Sequence, residues 1–178
     1  MTVDTPTKTT TVTEPAALRA RLRATADAFL ALRPAVLAGE PWPLATDFGH
    51  GPEAAWGPPE VLAHVTEMLP YWLGEVERIL AGWPTPVPFG RVATDAVRIA
   101  IIGRDRTVPL RELFDRVEAD VARYERRLAD LSPADLARHG LHPARGSISV
   151  QTVLDLIVVE HLEEHCPQLR EMLAVAGR

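Results

Sequence analysis

Along Pro58-Pro59-Glu60-Val61-Leu62-Ala63-His64-Val65-Thr66-Glu67-Met68-Leu69-Pro70-Tyr71-Trp72-Leu73-Gly74-Glu75-Val76, the apolar side chains return with a helical period and never with the alternation of a strand. Paired prolines suit a first turn, where a missing N–H is no loss, so the pattern predicts a helix from Pro58 or Pro59 to about Ala81. Pro70 lies inside it and removes the usual donor to the Thr66 carbonyl, which predicts a kink about one turn beyond His64. His64 sits at the margin of the apolar stripe and should point into a helix interface.

Three more helices share this signature. Thr13 is a candidate N-cap with Pro15 in the first turn, and Leu18, Leu22, Phe29 and Leu30 trace a face that runs to about Leu37, with a bend before Pro34. After Thr107, the residues Leu110, Leu113, Phe114, Val117, Val121, Tyr124, Leu128 and Leu131 form the clearest stripe of the chain. The last helix should begin near Ser149 and bury Val150, Val153, Leu154, Ile157, Val158, His161, His165 and Leu169, with Pro167 bending its end. A short helix is expected from Thr94 to Gly103, and Ser132 with Asp135 opens a turn. Residues 39–57 and 139–146 read as loops, with Trp42 and Trp56 packing the first of them. No segment reads as a strand. Four principal helices predict an all-α four-helix bundle with long loops, one domain over residues 13–178, preceded by a disordered Thr-rich tail at 1–12.

Composition narrows the function classes. At 178 residues and 47% hydrophobic, the chain suffices for one core. A formal charge of −5 argues against nucleic acid or an acidic membrane surface as partner. One cysteine, Cys166, excludes an internal disulfide and reads as a small buried hydrophobe. Without a signal-peptide pattern or a transmembrane run, a cytoplasmic location is expected, and the arginine-rich, lysine-poor composition suggests a high-GC bacterium.

The chemistry lies in the histidines. His161 and His165, in Val158-Val159-Glu160-His161-Leu162-Glu163-Glu164-His165-Cys166, are spaced i, i+4 and project from one face of a helix. With His64 from a facing helix, they make a three-histidine site for a divalent metal that leaves coordination positions open. His161-Leu162-Glu163-Glu164-His165 also fits an inverse zincin pattern with Glu164 as base, but too little chain follows to supply its third ligand. Glu160 and Glu163 read as a solvated face, and Glu67 as either a partner orienting an imidazole or a surface residue. His50, His139 and His142 are expected to be exposed in loops.

Three motifs carry a family resemblance: Trp-x-x-x-Glu-x-x-x-His at Trp56, Glu60 and His64; His-Pro-x-x-Gly-x-x-Ser at His142, Pro143, Gly146 and Ser149; and His-x-x-x-His-x-x-Gln-Leu at His161, His165, Gln168 and Leu169. Together they resemble the DinB-like superfamily, including its mycothiol-dependent maleylpyruvate isomerase and bacillithiol-transferase branches. The resemblance covers about residues 15–175 and implies an up-down-down-up bundle. It also implies a divalent metal, zinc or nickel, on His64, His161 and His165. The implied activity is S-transfer with a low-molecular-weight thiol such as mycothiol or bacillithiol, with hydrolysis second, and the implied assembly a homodimer. It assigns no general acid or base. The competing reading is a non-catalytic bundle in which the histidines bind a ligand or hold the fold.

Overall fold

A computed structural model describes residues 14–49 and 53–176. The expected tail at 1–12, the Thr13 cap and His50 lie outside them.

The chain is all-α, with one small hairpin. Helix α1 (Pro15–Leu30) starts on its proline and breaks at Ala31 and Leu32, ahead of Pro34, before the short α2 (Arg33–Ala38). Helix α3 (Pro58–Gly82) runs uninterrupted through Pro70, whose ring side faces solvent. Asp95 caps α4 (Ala96–Asp105), accepting a hydrogen bond from the Arg98 backbone N–H at 2.9 Å. Helix α5 (Leu110–Ala129) buries the stripe its sequence displays, and α6 (Pro133–Leu136) is a single capped turn. The final helical stretch comprises α7 (Val150–Thr152), a π-helical segment (Val153–Glu160) and α8 (His161–Ala176), which continues through Pro167.

The four long elements pack in a ring in which α1 touches α5 and α8, and α3 touches α5 and the last helical stretch. Leu18, Leu22, Phe29, Leu62, Leu69, Phe114, Val117, Val158 and Leu162 meet in one buried core. At its centre Tyr124 donates to the Leu69 carbonyl at 2.8 Å, so the one polar atom of this large buried ring is satisfied. Arg21 of α1 clamps the last helices through Asp155 and Glu163; Glu163, expected on a solvated face, is ion-paired and also accepts from Thr25.

Two local expectations are corrected. Residues 139–149 form a β-hairpin, β1 (His139–His142) with β2 (Gly146–Ser149), turned at Gly146 with its φ of 70°. Residues 87–89 run beside β1, with the Leu141 N–H donating to the Val87 carbonyl at 2.9 Å and the Phe89 N–H to the Leu141 carbonyl at 3.1 Å. The strands are four residues each, too short to display alternation, and the segment that runs beside β1, residues 87–89, is distant in sequence. The second correction concerns the last helix. A regular α-helix would put Ile157 and His161 on the buried stripe, but the wider π-helical turn changes the phase. Buried positions run instead through Leu154, Val158, Val159, Leu162, His165, Cys166 and Leu169.

Candidate metal centre

Helix α3 brings His64 to the site and α8 brings His161 and His165. One ring nitrogen from each lies within 4.8 Å of the other two, and the Nε2 atoms of His64 and His161 are 2.8 Å apart. The rings stand edge to face, with centroids 5.1 Å (His64 to His161), 5.2 Å (His64 to His165) and 4.7 Å (His161 to His165) apart. His64 and His165 are buried; His161, turned outward by the π-helical segment, is half-buried at the rim.

This donor set fits a divalent ion. His165 Nε2 is fully buried and has no hydrogen-bond partner among the described residues, a costly state for a polar atom unless something coordinates it. Nitrogens on a tetrahedral zinc ion stand roughly 3.3 Å apart, a separation that small side-chain rotations reach from the spacing here. The far side of two rings is already arranged for it. His165 Nδ1 contacts Gln168 Oε1 at 2.8 Å, and Gln168 in turn donates to the Glu53 carbonyl at 2.9 Å. His161 Nδ1 faces Glu164 at 3.2 Å. A proton on each Nδ1, given to these acceptors, leaves Nε2 as a free lone pair aimed at the centre. His64 differs: its Nδ1 faces the Arg98 guanidinium at 3.3 Å, which only donates, and Trp56 packs edge-on against the ring at 5.6 Å.

Two openings flank the cluster. A cavity of about 350 Å³ is lined by His64 and His161 together with Met68, Trp72, Arg91, Arg98, Arg145, Leu156 and Ile157. On the other side an opening of about 390 Å³ holds Glu53, Glu164 and Glu171 beside His161 and His165. Guanidinium groups thus line the first approach, where Glu53 is paired with Arg98, and carboxylates, Glu53 again among them, line the second. The same π-helical segment that displaces His161 from the core carries Leu156 and Ile157 into the first cavity.

Several residues sit elsewhere than expected. Glu67 is neither at the surface nor on a histidine: it is buried and paired with Arg91. His142 is buried, stacked on Trp72 and edge-on to Phe89, whereas His139 is exposed as expected. Cys166 is buried, and burial pushes its thiol up, so it is no candidate nucleophile. Arg91, Arg98 and Arg145 carried no sequence signal, because single arginines in loops and first turns are common. Glu164 and Gln168 were findable, each three residues after a histidine on the same helix.

Burial, reinforced by the other histidines, pushes His64 well below the usual imidazole range and His165 down to about 4. The unfolded chain binds these protons near pH 6.5, the folded chain only far lower, so the associated stability is complete above about pH 6.5 and is lost as pH falls toward about 4. For His165 alone this is on the order of 3 kcal/mol. Chelator-treated protein should therefore show a falling melting temperature across that window. A flat profile between about pH 7 and about pH 4.5 would contradict the burial of these rings.

Against known proteins, a family model described as the DinB superfamily matches residues 10–169. No curated protein and no solved structure matches the chain. The matched stretch encloses the helical ring and all three clustered histidines, and the chain belongs to the DinB superfamily.

Proposed function

We propose that His64, His161 and His165 hold a divalent metal ion, zinc or nickel, in an enzyme that activates a low-molecular-weight thiol for S-transfer. The observation that carries this reading is the convergence of three ring nitrogens, with His64 and His161 at a cavity open to solvent and His165 Nε2 buried behind them without a partner. An ion held by three neutral imidazoles keeps its full charge and lowers the pKa of a thiol or water that it binds. Family membership supports the metal, and the resemblance to the thiol-dependent branches supports a thiol over water as the group activated.

The protein's own contribution is positional. Glu164 and Gln168 fix two imidazoles by their Nδ1 atoms, Trp56 wedges the third, and Met68, Trp72, Leu156 and Ile157 give the cavity an apolar wall that favours an organic electrophile. Protein purified without chelator or nickel resin should carry close to one equivalent of transition metal by mass spectrometry. It should conjugate mycothiol or bacillithiol to a test electrophile such as chlorodinitrobenzene, and lose that activity on chelation and regain it on reloading. Metal-free protein with full conjugating activity would sink the reading.

A further inference from the structure

Arg91, Arg98 and Arg145 line the cavity above His64 and His161, in a chain whose net charge is −5. Two of these charges are already compensated. Arg98 is paired with Glu53 and also donates to the Ala93 carbonyl at 3.0 Å; Arg91 is paired with buried Glu67 and stacks on Tyr71 at 3.6 Å from the ring centre. The Arg145 side chain has no hydrogen bond or ion pair among the described residues and stays exposed at the cavity wall. It is nevertheless placed by a built support. His142 Nδ1 accepts from the backbone N–H groups of Ala144 at 3.1 Å and Arg145 at 3.2 Å, fixing the hairpin turn. The same ring stacks on Trp72, itself a wall of the cavity. Gly90 makes room for it: with φ at 77°, a Cβ there would meet the His142 ring at 2.5 Å. One buried imidazole therefore anchors the turn that holds Arg145 at the cavity wall.

We propose that this cavity takes a monoanionic substrate, a carboxylate on a planar apolar body, with Arg145 binding the carboxylate and Trp72, Leu156 and Ile157 the body. The charge count selects the class: one uncompensated guanidinium matches a single negative charge, and its planar fork matches the two coplanar oxygens of a carboxylate. A dianionic phosphate would require a second free cation on the wall. The proposal rests on the metal reading for where the substrate's reacting end lies, and not for how its anion is held.

The test is calorimetric titration of the full chain, in zinc-loaded and chelator-treated forms, with cinnamate, its neutral isostere cinnamamide, and phenyl phosphate. Cinnamate should bind about tenfold more tightly than cinnamamide in both forms. R145Q should remove that preference while leaving cinnamamide affinity and the melting temperature unchanged, and R145K should restore part of it. Equal affinities, a preference that survives R145Q, tighter binding of phenyl phosphate, or no binding of cinnamate to either form would each overturn the proposal. Failure of zinc to bind, with the cinnamate preference intact in the chelator-treated form, would instead refute the metal reading and leave the anion site standing.

Discussion

Replacing His161 with alanine should lower zinc affinity by at least about a thousandfold, because losing even a residue that merely orients a ligand costs roughly 10–100-fold and His161 is a ligand itself. It should also abolish thiol conjugation. The fold should survive: His161 is half-buried at the rim, and the apolar positions on either side, Val158, Val159, Leu162 and Leu169, are untouched. The chelator-treated variant should accordingly melt within a few degrees of the chelator-treated parent. The same mutant separates the catalytic reading from a structural one. A structural ion contributes its binding free energy to folding, so the zinc-loaded parent would then melt far above the variant while conjugation was absent from both. A variant that retains zinc at the parent's affinity would remove His161 from the site.

The bundle was legible because its evidence is local. Stripes such as Leu110 through Leu128 and Val61 through Val76 state both the helix and the face it buries, and the breaks before Pro34 and at Gly57 follow from proline and glycine chemistry. The histidine triad was legible for the same reason: an i, i+4 pair fixes two side chains on one face, and His64 shares the phase of its own stripe. What escaped was set by tertiary contacts. The π-helical segment has no glycine or proline to announce it, and only packing against both α1 and α3 reveals which of Ile157, Val158 and Val159 points inward. The hairpin at 139–149 escaped because its stability comes from pairing with residues 87–89 and from the seat of His142 against Trp72, fifty or more residues away in sequence. Both misses bear on the same cavity. The parts of this chain that shape the approach to the histidines are the parts whose conformation long-range contacts decide.

One such long-range contact should dominate the stability of the site's surroundings. Glu60, on the first turn of α3 and one turn before His64, is fully buried and accepts from the backbone N–H groups of Ala45 at 2.9 Å and Gly57 at 3.1 Å and from Arg106 at 3.1 Å. Arg106 also donates to the Ala45 carbonyl at 3.0 Å and lies over the Phe48 ring at 4.5 Å, so a single pair ties α3, the end of α4 and the described part of the loop before α3 together. R106M keeps most of the apolar stem but leaves a carboxylate buried with only neutral donors. Breaking one side of a buried pair costs 3–5 kcal/mol, and Arg106 is partly exposed, so a loss of about 3 kcal/mol is expected. At 2–4 °C per kcal/mol for a chain of this size, the melting temperature should drop by roughly 6–12 °C. The double variant E60Q/R106M should recover part of the drop, since it removes the unpaired charge, while its single amide oxygen can accept from only one of the Ala45 and Gly57 N–H groups. Phe48 also packs on Trp56, and Trp56 on His64, so R106M should weaken zinc binding as well, whereas a pair that served only the loop would leave it unchanged. An R106M protein that melts with the parent would show that Glu60 is held by its backbone donors alone.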